Sequence, residues 1–235
     1  QEQDGYDQRL YALEYYCSKC DENGLSRGDY KSYKPVKSED IQKFEKAKKE
    51  WRTRTDLHEY VPNGKIPRGA KTESSSVDGS DVFQHGIEDW VDMYNERQLL
   101  SLSKILKEIS QIEDQNVKEY LLLALTGCLN RNNMMIGYDA GHNAINNMFK
   151  SNSFDPPQTP AENNVWGVKH GTGPFFRKFE LIQKAVEYAH APTDRYVEDG
   201  ETIETPKFDK PLGEDTTVIC DDVRNIDQKS EYDAV

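Results

Sequence analysis

The chain has 235 residues, of which 35% are apolar and 15 are glycine, short of the roughly 45–50% apolar share of an average globular protein; it can bury one modest core and must carry long polar connections. A net charge of -12 and an isoelectric point near 5.0 deny it the basic footprint of a free-standing nucleic-acid binder. No run approaches the ~18 apolar residues of a membrane helix, and the polar, acidic first residues are not a signal peptide, so a soluble cytoplasmic protein with no membrane partner is expected.

In chain order, residues 10–16 (LYALEYY) read as a strand running straight into Cys17. Gly24 and Gly28 mark a polar turn. Ser38, followed by Glu39 and Asp40, predicts a helix N-cap with acids in the first turn, where the macrodipole favours them. Ile41, Phe44, Ala47 and Trp51 continue at helical spacing. Pro62, Gly64, Pro67 and Gly69 predict an extended connector, and residues 72–80 a Ser-rich loop. From near Gly86 the chain becomes denser. Asn95 with Gln98 predicts a variant capping box for a helix carrying Leu99, Leu102, Leu106, Ile109 and Ile112 on one face. Asp114 caps the next helix, whose residues 120–129 are apolar nearly all round, so it should be the most buried one. Asn132 and Asn133 break the pattern, and residues 154–173 are irregular. A third helix starts near Phe175 and carries Phe176, Phe179, Ile182 and Val186 inward until Pro192 stops it. Residues 193–213 read as an acidic linker, residues 216–220 as a strand with Asp221-Asp222 as its polar exit, and residues 232–235 as the start of another strand. The missing initial Met and this unfinished strand suggest a piece of a longer polypeptide.

Charge is unevenly spread, with Lys and Arg gathered in residues 31–54 and acids dominating residues 194–233. A solvated charged helix accounts for the basic run; a local basic face is the alternative. Cys17-x-x-Cys20 puts two thiols on one tight turn, which suits tetrahedral zinc, but a structural site takes four ligands. Half a zinc site and an idle or redox pair both fit; His58 and His85 are candidate further donors without metal-ligand spacing. Cys128 and Cys220, in apolar and β-branched runs, read as small buried hydrophobes. Residues 154–158 (FDPPQ) approach the Asp-Pro-Pro-aromatic signature of amino methyltransferases, yet Gln158 cannot stack on a base and no strand precedes it, so the segment reads as an ordinary loop. In residues 160–167 (PAENNVWG), Asn163 and Asn164 can read adenine edges and Trp166 can stack on a base. A loop whose Asn side chains satisfy its own backbone is the other reading. His170-Gly171-Thr172-Gly173 is too short for a phosphate-binding claim.

Five stretches together resemble one family, the large adenine-specific DNA methylases that contain a zinc ribbon. They are residues 10–20 (LYALEYYCSKC), 94–100 (YNERQLL), 132–139 (NNMMIGYD), 162–167 (ENNVWG) and 217–235 (TVICDDVRNIDQKSEYDAV), in family order across almost the whole chain. The resemblance implies an α+β fold: a mainly helical insert domain with a small β zinc knuckle at its N-terminal end and the first strands of a Rossmann-like methyltransferase sheet at its C-terminal end. Residues 1–36 would end the zinc ribbon, 37–80 form a helix and extended linker, 81–192 the helical insert, 193–214 an acidic linker, and 215–235 begin the catalytic half. Cys17 and Cys20 carry over as zinc ligands, and Asp222, with Asp221 beside it, as the contact to the adenine of S-adenosylmethionine. Asn163, Asn164 and Trp166 are the nucleic-acid contact candidates. The family's glycine-rich cofactor motif lies upstream and its Asp-Pro-Pro-Tyr motif downstream, so the implied partners are DNA and the rest of a parent chain that transfers methyl groups to adenine N6, and this piece alone would be inactive. The alternative is a non-catalytic helical interaction module with a structural zinc knuckle in a phage-defence or restriction system.

Overall fold

A computed structural model describes residues 10–70, 72–73, 81–149, 154, 156–157, 159–168, 170–205 and 211–213. The chain is α+β, dominated by helices, with three two-stranded antiparallel sheets among the described residues. It divides into two compact units, Gln1–Ile182 and Gln183–Val235.

Strand β1 (Ala12–Tyr16) pairs with β2 (Lys31–Pro35) in a register from Ala12↔Pro35 to Tyr16↔Lys31. Proline, which cannot donate to a ladder, sits at the end of its strand. Two short helices, α1 (Ser18–Glu22) and α2 (Arg27–Tyr30), connect the strands. Ser26 starts α2 by directing its N–H and hydroxyl to Asp29 Oδ2, at 3.2 and 2.7 Å. Helix α3 spans Ser38–Thr53. Its N-cap is Lys37 rather than the expected Ser38, because the Asp40 carboxylate reaches back to accept the Lys37 N–H at 3.1 Å. Phe44 and Trp51 are its buried side chains.

Helix α4 (Glu96–Ser110) is the centre of the larger unit. Asn95 Oδ1 accepts from Gln98 N at 2.9 Å and Gln98 Oε1 accepts from Asn95 N at 3.0 Å, the reciprocal cap read from the sequence. On one side Leu99 and Leu100 meet Trp51 and the fully buried Leu57 of the 3-10 helix Thr55–Tyr60. On the other, Leu102 and Ile109 meet Ala124, Leu125 and Cys128 of helix α5 (Gln115–Leu129), which Asp114 caps through Val117 N at 3.0 Å. A third cluster joins Ile66, Val82, Met93 and Met135, and Tyr94 packs against all three clusters.

Helix α5 departs from expectation. Only Ala124, Leu125 and Cys128 are buried on it, and Leu123 is 57% exposed, whereas α4 buries six residues. An all-round apolar helix needs partners on every side, and here its neighbours cover a single stripe. Strands β3 (Tyr138–Asp139) and β4 (Ala144–Ile145) form a small hairpin. The hairpin meets β2 where Tyr33 Oη bonds Tyr138 Oη and, at 2.8 Å, Asn143 Oδ1. Helix α6 runs Phe175–His190. Phe175, at 7% exposure, is its buried aromatic, while the expected Phe176 is 39% exposed.

In the second unit, the segment expected to be a linker holds a hairpin, β5 (Arg195–Glu198) with β6 (Glu201–Glu204). Its two-residue turn has Asp199 at φ 52° and Gly200 at φ 83°, the double left-handed geometry that suits the twist of a tight hairpin. Arg195 and Glu204 pair across it at 3.1 Å. The expected strands at 216–220 and 232–235 lie outside the described residues.

Candidate functional site

β1 delivers its last residue directly to the cysteine pair. Cys17 N–H donates to Tyr30 O at 2.7 Å, which anchors the turn to the far end of the loop, and Leu25 N–H donates to Cys20 O at 3.1 Å. Both thiols are free and half-buried. They bond to each other: the Cys20 thiol, with the N–H groups of Cys20 and Lys19, holds the Cys17 thiol below its ordinary pKa, and the same contact pushes Cys20 up. Cys17 is thus the more readily ionised thiol of the pair. In the metal-free chain a thiol alkylating reagent should modify Cys17 before Cys20, with selectivity shrinking as pH rises through about 8–9, where ordinary thiols ionise. Cys128, fully buried and pushed up to about 12 by that burial, should react only on unfolding. Peptide mapping by mass spectrometry reads all three, and Cys20 reacting first would contradict the assignment.

As a metal site the pair supplies two of the four donors that tetrahedral zinc takes. Among the described residues, no group of three or more His, Cys, Asp and Glu side chains could hold a metal ion. Neither candidate histidine completes the set: His58 lies against Trp51, with Nε2 3.2 Å from Trp51 O, and His85 ends the 3-10 helix Val82–His85.

A histidine that the sequence shows only at the head of a short Gly-Thr-Gly run stands on the flank of this turn. His170 stacks on Tyr30 (centroids 5.1 Å, 19°), meets Tyr16 edge-on at 5.2 Å, and holds Nε2 3.5 Å from Asp21 Oδ2. Tyr16 donates its hydroxyl to the same oxygen at 2.7 Å, and that bond pushes its phenol up to about 12. No local signal announces this contact, because its partners are far apart in sequence.

The loop carrying Asn163, Asn164 and Trp166 is built largely on its own backbone. Asn163 Nδ2 donates to Thr172 O at 3.1 Å and its Oδ1 accepts Asn164 N at 3.0 Å. Asn164 Oδ1 accepts Gly167 N at 3.0 Å. Trp166 is 59% exposed, its ring 5.8 Å from that of Phe175. Behind the loop, Glu162 takes a hydrogen bond from Asn95 Nδ2 at 2.7 Å and pairs with Arg97 at 2.6 Å. The basic run at residues 31–54 is mostly spent on ion pairs: Lys31–Glu14, Lys34–Asp40, Lys48–Glu45, Arg52–Glu96 and Arg54–Asp56. Lys43, Lys46 and Lys49 of α3 are exposed, with no carboxylate at ion-pair distance among the described residues. Asp221 and Asp222 lie outside the described residues.

No protein-family model matches the chain, and neither a curated protein nor a solved structure matches it.

Proposed function

We propose that this chain is the target-facing or scaffolding insert of an S-adenosylmethionine-dependent DNA adenine-N6 methyltransferase of the zinc-ribbon type. Cys17 and Cys20 would be half of the ribbon's zinc site, and Asp222, with Asp221, would contact the cofactor's adenine. When bound, the cofactor supplies the methyl group, and this chain's residues would help hold it and the DNA.

The observation that carries the reading is the convergence of three of the stretches on which the resemblance rests. Asn95 of the first bonds Glu162 of the third at 2.7 Å and lies 3.4 Å from Met134 Sδ of the second. Met134 N–H donates to Met93 O at 2.7 Å, and Ala161 N–H to Ile136 O at 2.9 Å. Segments distant in sequence thus form one polar junction, which supports reading them as parts of one unit. The cysteine turn adds support, since its thiols already face each other at the end of a strand. The interaction-module reading draws on one observation, the outward face of α5, where Val117, Tyr120 and Leu123 are 47, 48 and 57% exposed.

Three measurements, on the 235-residue chain and on a longer protein with the flanking catalytic motifs, test this. The chain should take up zinc weakly, as two thiolates leave the coordination sphere open, and lose that uptake in Cys17→Ser, Cys20→Ser. By calorimetry it should not bind S-adenosylmethionine, because one hydrogen bond of about 0.5–1.5 kcal/mol cannot offset the roughly 4–15 kcal/mol of freedom lost on binding. In the longer protein, Asp222→Ala should weaken cofactor binding more than saturated turnover. Unchanged zinc uptake in the double variant, or an indifferent Asp222, sinks the proposal.

A further inference from the structure

Trp166 combines high exposure with a firmly built support. The carbonyls of Val165 and Trp166 accept the N–H groups of Phe175 and Phe176 at 2.7 and 3.0 Å, satisfying donors that the first turn of α6 cannot pair internally. Gly167, at φ +105°, lies so close to Pro174 that a Cβ would stand 2.5 Å from the proline Cβ. With both Asn side chains bonded within the loop, the backbone that carries the indole is held in place, so little loop ordering is left to lose when a flat partner stacks on it. Phe175 backs it, the rings inclined at 30°, and Phe176 is 39% exposed next in sequence.

The local charge differs from that of the whole chain. Two carboxylates on the loop and on α6 are paired, Glu162 with Arg97 and Glu180 with Arg177. On the segments that support the loop, Arg131 and Lys178 have no carboxylate at ion-pair distance among the described residues. Arg131, whose stem runs against Gly173, gives a guanidinium hydrogen bond to Ile145 O at 2.7 Å. Lys178, which lies against Gly127, is one turn along α6 from Phe175 and Pro174. The segments that support the loop thus carry cations for a phosphate strand, even though the protein carries -12 overall.

We infer that Trp166, backed by Phe175 and carried by a loop whose supporting segments hold Arg131 and Lys178, is a stacking site for an unpaired base of a single-stranded nucleic acid. A duplex hides its base faces, and the Asn163 and Asn164 groups that could have read base edges are mostly spent on the loop. An unpaired base offers the flat face that an indole takes up without regard to sequence. The inference rests on the nucleic-acid side of the proposed function and not on methyl transfer, so zinc and cofactor measurements leave it untouched.

The test is an anisotropy titration of the 235-residue chain with a labelled single strand of about 12 nucleotides, inside the ~4–16 that one single-strand module covers, and with the same sequence as a duplex. The single strand should bind at least about tenfold tighter than the duplex, and Trp166→Ala should weaken it about five- to hundredfold, the loss of one base–aromatic stack. Trp166→Phe should keep most of the affinity. Lys178→Gln should lower the log–log salt slope by up to about 0.7, one single-strand phosphate contact. Since Trp166 is exposed, the Ala variant should melt as the native chain does, which separates loss of the site from loss of the fold. Equal affinity of Trp166→Ala and native chain, equal affinity for duplex, or no binding of the single strand would each overturn the inference. Such a result would leave the methyltransferase reading standing as long as zinc uptake and Asp222 behave as expected.

Discussion

Gly167→Ala should destabilise the chain by about 2–5 kcal/mol, combining a left-handed backbone that costs an L residue roughly 1–3 kcal/mol with overpacking of similar size. The neighbour that a new methyl would strike, Pro174 Cβ at 2.5 Å, belongs to a fully buried ring that cannot swing aside. Gly173, at φ +93°, faces Arg131 Cβ at 2.5 Å and Cδ at 2.6 Å. Its replacement should cost somewhat less, since the outer arginine atoms can move although Cβ cannot. Gly127 is the contrast. It lies inside α5 with nothing nearer than Lys178 Cδ at 3.3 Å, a flexible stem, so Gly127→Ala should be neutral or stabilising by up to about 1 kcal/mol through helix propensity. Denaturant titrations of the three variants check the order. A Gly167→Ala change below about 0.5 kcal/mol, the level of an ordinary surface substitution, would mean that the loop is free to relax.

The parts of this fold that are legible in the sequence are those decided within a few residues. The caps at Asn95 and Asp114 depend on an acceptor and an N–H three positions on, and both occur as read. The strand before Cys17 is equally local. Burial is less legible, because it depends on what lies opposite. Residues 120–129 are apolar all round, yet Leu123 and Tyr120 face outward. At the start of α6 the sequence offers adjacent phenylalanines, and the inward one is chosen by the loop whose Val165 carbonyl takes the Phe175 N–H. The hairpin at residues 195–204 had a signal, Asp199-Gly200 between short β-prone runs, but the acidic composition of the region masked it.

The candidate site divides in the same way. Cys17 and Cys20 are adjacent in sequence and so adjacent in space, whereas His170 reaches the same turn through tertiary packing. Asn163 and Asn164 show why residue type alone misleads: amides in irregular chain bond to nearby backbone first. What their loop leaves outward is the indole of Trp166, one residue of the three.

Asn95→Ala should cost about 2–4 kcal/mol, because one side chain does two jobs. Its Oδ1 caps α4 through Gln98 N, worth about 1–2 kcal/mol. Its Nδ2 donates to Glu162, a carboxylate only 18% exposed, and a hydrogen bond to a charged group is worth about 1.5–3 kcal/mol. The two contributions share a residue and will not simply add. Asn95→Asp separates them. It keeps the capping oxygen and suits the positive end of the helix, but it sets a second carboxylate 2.7 Å from Glu162 Oε2. Arg97 can neutralise only one of them, so the folded chain should raise the pKa of the pair above its unfolded value. A raised folded pKa contributes stability that is present below the unfolded pKa and lost as pH rises through the folded one. Relative to the native chain, Asn95→Asp should therefore be clearly destabilised at about pH 7 and recover towards about pH 4, where carboxylates begin to protonate. The deficit of Asn95→Ala should hold nearly constant across that window. Denaturant melts of both variants at the two pH values decide it. An Asn95→Asp deficit that does not change with pH would remove Glu162 from the junction and, with it, the contact that joins the start of α4 to the Trp166 loop.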